Sequence, residues 1–144
     1  MQFVITRELH APREAVFDVI ADPRRRIEWQ SSLREVHVAD EGPPRLGTCW
    51  YEVTRGGLRF DLQITEFERP LRWAERGQGR IADAKLTVRF EAEPGAPSTL
   101  VIVEAEVDFI RGLHLVAPVV RVLMPAALRA DLGRVEKLAR ATHN

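Results

Sequence analysis

At 144 residues with no net charge at neutral pH, the chain is long enough to bury its own core as one domain, 1–144, and has no global field to draw it to nucleic acid or acidic lipid. Its one cysteine, Cys49, excludes an internal disulfide and predicts a reducing compartment, the cytoplasm. The opening MQFVITRELHAP mixes charge into its apolar alternation and is not expected to act as a signal peptide, and no stretch reaches the roughly 20 apolar residues of an integral membrane segment.

Gln2 to Glu8 alternates, Phe3 and Ile5 against Val4 and Thr6, and reads as a strand. Pro12 to Ile20 reads as a helix, with Val16, Phe17 and Ile20 at helical spacing behind a proline in the first turn. Asp22-Pro23 ends it and caps a second, short helix running from Pro23 to about Gln30. That second helix carries Arg24, Arg25 and Arg26 in a row ahead of Trp29. The other arginines are scattered and balanced by carboxylates, so the run is expected to be a solvated face or cavity rim, and no nucleic-acid partner is expected.

Strands follow. Leu33 to Asp40 comes first, then Gly47 to Arg55, where Cys49, Tyr51 and Val53 share one face and Thr48, Trp50, Glu52 and Thr54 the other. Gly56-Gly57 signals a two-residue hairpin turn. Leu58 to Glu68 alternates cleanly, with Leu58, Phe60, Leu62 and Ile64 on the apolar side. Leu71 to Arg76 sets Leu71, Trp73 and Glu75 on one parity, and Gly77-Gln78-Gly79 reads as a turn. Arg80 to Glu91 and Leu100 to Phe109 complete the series, the last with Val101, Val103, Ala105 and Val107 inward and Glu104, Glu106 and Asp108 outward. Period two with one wet face predicts antiparallel strands.

From His114 the period changes. Leu128, Leu132, Val135 and Leu138 mark a C-terminal amphipathic helix, in which Pro125 is expected to place a kink or a new start. About 27 residues give a rod of roughly 40 Å, the one element long enough to cover the sheet's apolar face. Val116 to Met124 is apolar nearly all round, more than one buried face requires. The surplus predicts contact with a cavity ligand, a flanking loop or a second copy in a homodimer.

Two stretches carry a family resemblance. HAPREAVFDVIADPRRRIEWQSSLREVHV is similar to the opening strand, helix pair and tryptophan of the START-like, helix-grip (SRPBCC) superfamily, and in particular of its polyketide cyclase/dehydrase-like proteins. LGTCWYEVTRGG and LQITEFERPLRWAER resemble that group's central hairpin and the proline-bounded strand after it. The resemblance covers essentially the whole chain and implies an α+β fold. A curved seven-stranded antiparallel sheet would wrap around a long C-terminal helix, with two short helices after strand 1. It also implies an apolar cavity for a lipid, sterol, polyketide or other aromatic or isoprenoid-like molecule, with the second helix over one end.

Alternation, placed on that fold, nominates Tyr51, Phe60, Leu62, Trp73, Phe90 and Val103 as ligand-binding positions, and the helix pair adds Trp29. For chemistry it offers only Tyr51, Glu75 and His114, Glu75 as a carboxyl whose pKa burial would raise. Arg59 and Arg72 fall on outward parity, so no inward catalytic arginine is expected. Cys49 shares Tyr51's face but has no positioned base. No metal-ligand spacing, phosphate loop or dinucleotide fingerprint occurs, so neither metal nor cofactor is expected. Three functions remain open: a binder of a hydrophobic small molecule, a cofactor-independent polyketide aromatase/cyclase or dehydratase, and a carrier or chaperone-like interaction protein.

Overall fold

In the computed structural model, which describes residues 1–113, 115 and 117–143, the α+β arrangement expected from the sequence is present. The order is β1 (Gln2–Leu9), α1 (Arg13–Ala21), a 3-10 turn (Pro23–Arg25) running into α2 (Arg26–Trp29), β2 (Leu33–His37), β3 (Cys49–Thr54), β4 (Arg59–Glu68), β5 (Arg72–Gly79), β6 (Ala82–Glu91), β7 (Thr99–Phe109) and α3 (Ala117–His143). One antiparallel sheet runs β1-β7-β6-β5-β4-β3-β2, so β2 to β7 form a meander and β1 adds at the far edge. Asp22 plays its expected part at the helix junction, its Oδ1 accepting from the Arg24 backbone N–H at 3.0 Å.

Cross-strand register divides the inner face of this sheet into two ends. One row runs Ile5, Val103, Val88, Trp73 and Phe67, and Val101 with Phe90 lies beside it. Helix α1 lies over that end. Its Phe17 meets the Phe67 ring edge-on at 5.3 Å and the Phe90 ring at 5.1 Å. Leu132, Val135 and Ala139 of α3 close the same cluster. Such pairs add about 0.5–1.5 kcal/mol beyond the area they bury, and this end is packed solid.

The other end carries two rows: Phe3, Ala105, Leu86, Glu75 and Ile64, then Val107, Ala84, Gly77, Leu62 and Trp50. No helix lies flat on them. The N-terminal half of α3 stands off instead, with Val119, Val122 and Leu123 each about 60–70% exposed. Helix α3 is continuous from Ala117 to His143 with Pro125 inside it, so the proline opens no new segment.

Two departures from the sequence reading concern glycine. Gly77-Gln78-Gly79 is not a turn but the end of β5, which runs to Gly79. A Cβ on Gly77 would lie 3.2 Å from Leu62, and one on Gly79 would lie 2.6 Å from the Phe60 ring. Phe60 and Leu62 therefore lie down over bare backbone. The Gly56-Gly57 hairpin has three loop residues, not two: Thr54 N–H donates to Leu58 O at 2.8 Å, and Gly57 takes φ 85°. Glycine in the left-handed region closes that kind of loop without steric cost.

Truncating Phe17 tests the packed end. Phe17→Ala is expected to cost about 3–5 kcal/mol, read as a fall in the urea unfolding midpoint with an unchanged slope.

Candidate functional site

The open end of the sheet encloses a cavity of about 300 Å³. Its floor is formed by the two rows just described, apart from Ile64 and Trp50. Trp29 and Leu33 wall one side, and Met124, Ala127, Leu128 and Asp131 of α3 wall the other. Most of the lining is aliphatic or aromatic, as expected of a small-molecule site. A larger hollow of about 760 Å³ lies on the opposite, outer face of the sheet, beside His37, Cys49, Tyr51, Asp61 and Arg76. It is open to solvent and flanked by charge, and it has none of the enclosure that excludes water.

Polar chemistry in the cavity gathers at one point. Arg26 opens α2 one turn before Trp29, so both point inward, and only 3% of Arg26 is exposed. Its Nε donates to Glu52 Oε2 at 3.0 Å, while Nη1 and Nη2 fork onto Glu75 Oε2 and Oε1 at 2.7 and 2.8 Å. Trp50 Nε1 donates to the same Glu52 oxygen at 3.3 Å. The guanidinium also lies 5.7 Å from the Trp29 ring and 5.5 Å from the Trp50 ring, close enough for cation–π attraction. Asp131 accepts from the Ser31 hydroxyl at 2.9 Å and from Arg134 at 2.8 Å, tying α3 to the chain after α2.

Two carboxyls around one guanidinium cannot all be satisfied as charges. Burial pushes Glu75 up to about 7; Arg26 opposes the shift and the neighbouring Glu52 adds to it. Burial alone would lower Arg26, but attraction and hydrogen bonds from both glutamates outweigh it and hold the proton more firmly than in an ordinary arginine. Burial likewise raises Asp131, against its bonds to Ser31 and Arg134.

Four sequence-nominated residues, Trp29, Phe60, Leu62 and Glu75, come together on the cavity wall. Trp73, Phe90 and Val103 face inward but lie in the packed end beneath α1, because alternation gives the face and not the position along it. Tyr51 does not face the cavity. It sits on the outer face, stacked on His37 at 4.5 Å with Arg59 3.9 Å above its ring. The hairpin explains this correction: a three-residue loop pairs Glu52 with Phe60 and Trp50 with Leu62, whereas a two-residue loop would have turned Tyr51 inward. Cys49 is exposed for the same reason.

His114 lies outside the described residues. Arg26, expected on a solvated face or rim, is instead the buried centre of the site. Its spacing of three from Trp29 is the one signal in the sequence, since the two-residue hairpin reading turns Glu52 outward. Arg59 and Arg72 face outward as expected, paired with Asp61 and Glu66. Among the described residues, no cluster of three or more His, Cys, Asp or Glu could hold a metal, and no helix is long and apolar enough to cross a membrane.

The family model described as polyketide cyclase / dehydrase and lipid transport matches residues 1–140. No curated protein matches the sequence. Among solved structures, the Zhui aromatase/cyclase from Streptomyces aligns with a TM-score of 0.83 at 14% identity, covering 100% of this chain and 96% of that one. TTHA0849 from Thermus thermophilus aligns at 0.79 and 19% identity over 100% of both chains. DynU16, from the dynemicin biosynthetic locus, aligns at 0.65 and 17% identity over 94% of this chain and 46% of its own. At these identities the likeness is one of fold.

Glu75 gives the site a pH signature. Its folded value lies above the ordinary glutamate value, so the folded chain keeps a proton that the unfolded chain has lost between about 4.5 and about 7. The stability tied to that proton is full below this window and lost as pH rises through it. Glu75→Gln removes the slope, so wild-type stability minus that of E75Q is expected to fall between about pH 4.5 and about pH 7.5, measured by urea unfolding.

Proposed function

The chain belongs to the polyketide cyclase/dehydrase and lipid transport family, and from that premise we propose that it binds a hydrophobic small molecule in the space between its sheet and α3. The observation that carries this reading is the enclosed, mostly apolar cavity of about 300 Å³ with the buried Arg26–Glu52–Glu75 cluster on its wall. Apolar walls supply affinity through burial, at about 25 cal/mol for each Å² removed from water. The cluster supplies orientation, because a ligand that leaves its buried groups unmatched loses their hydrogen bonds. We further take the chain to be a single domain that works in the cytoplasm without a nucleic-acid partner, on its zero net charge and lone free thiol.

Filling the cavity tests this. Ala105 is 4% exposed and part of the cavity floor, so Ala105→Phe occupies ligand space without touching the charged cluster. The uncharged naphthyl ketone dye prodan is expected to bind the wild type saturably, with enhanced emission. A105F is expected to bind it at least about tenfold more weakly, a loss of about 1.4 kcal/mol. Equal binding by both proteins would count against the cavity as the site.

A second reading, cyclisation or dehydration of a polyketide-like substrate, is favoured by Glu75. A carboxyl that holds its proton to about pH 7 can both release and accept one at neutral pH. Its place on the cavity wall beside Arg26 would set it against an enolising carbonyl held in the apolar space. On this reading E75Q lowers kcat on an enolisable aromatic polyketone by about 10²–10⁴-fold, in a product assay by liquid chromatography. Wild-type turnover no faster than the buffer rate would leave binding as the function.

A further inference from the structure

The charge count at the polar end of the cavity restricts what can enter it. Arg26 is the one buried cation of the lining, and both arms of its fork and its Nε are engaged by Glu75 and Glu52. With either glutamate ionised the cluster has no positive charge to spare, and with both ionised it is negative. Lys85, the other cation of the lining, is exposed at the rim, where water screens it. Asp131 adds a third carboxyl, already engaged by Ser31 and Arg134.

One polar atom is left over. Glu52 Oε2 receives both Arg26 and Trp50, and no donor among the described residues reaches Oε1 of this cavity-lining residue. An acceptor without a partner favours a ligand that brings a donor to it.

We propose that this cavity selects an uncharged ligand whose polar end carries a hydroxyl or similar hydrogen-bond donor for Glu52, and rejects carboxylate- and phosphate-headed molecules. The inference rests on the binding function proposed above and adds its ligand class. An anionic head entering here would be stripped of water and set against carboxyls whose only buried cation is taken. Fatty acids and phospholipids are excluded on this account, while phenols, enols and alcohols on an apolar frame are accepted.

Three probes with one carbon frame separate the terms: naphthalene, 2-naphthol and 2-naphthoate, titrated calorimetrically into the wild-type protein at about pH 7.5. The expected order is 2-naphthol at least about tenfold tighter than naphthalene, and 2-naphthoate at least about tenfold weaker. In Glu52→Gln, which keeps an oxygen for Arg26 and Trp50 but removes a charge, 2-naphthoate is expected to gain at least about fivefold relative to naphthalene. Equal wild-type affinity for the three probes would overturn the selectivity and leave cavity binding standing. No binding by any of them, or by prodan, would overturn both.

Discussion

A guanidinium enclosed between two carboxyls holds the open end of this molecule together. Arg26 comes from α2, Glu52 from β3 and Glu75 from β5, three stretches separated along the sequence. Removing one partner of such a group leaves a buried charge uncompensated, at about 3–5 kcal/mol. Replacing the whole group by well-packed apolar residues is often neutral or stabilising. Stability is therefore a weak reason for a chain to keep it. Its place on the wall of the enclosed cavity is a stronger one, since there it puts charge beside the apolar space.

The sheet makes this possible by treating its two ends differently. Under α1, rows of valine, isoleucine and aromatic residues close into a dry core. Beyond α1's reach the same strands carry Ala84, Ala105, Gly77 and Leu86 on the inner face. Smaller side chains, and a helix that meets α1 and β1 through its C-terminal half, leave room where the rest of the domain has none. Packing at one end thus holds the geometry of the other. A floor of paired strands moves little, which is what a site needs if its polar atoms are to stay in place.

Much of this was legible in the sequence. The series of strands, the two short helices and the long terminal helix follow from periodicity and from Asp22, the Phe60, Leu62 and Glu75 positions from alternation, and that of Trp29 from the helix pair. The failures have specific physical causes. Tyr51 went to the wrong face because one extra residue in the Thr54–Leu58 hairpin inverts every side chain of β3. Trp73, Phe90 and Val103 were placed on the right face, but a strand's pattern does not say which end a helix covers. Arg26 was hidden in a basic run, where two neighbours are surface residues and only the tertiary position of Glu52 and Glu75 marks the third.

The contact of Gly77 with Leu62 has a bearing on how such a protein diversifies. The hollow owes part of its volume to a side chain that is missing from its floor, not to any that is present. Adding a methyl there would crowd Leu62 and shrink the chamber without disturbing a single ionised group. Capacity and polarity are consequently written in separate residues, so a descendant chain can change the one while keeping the other.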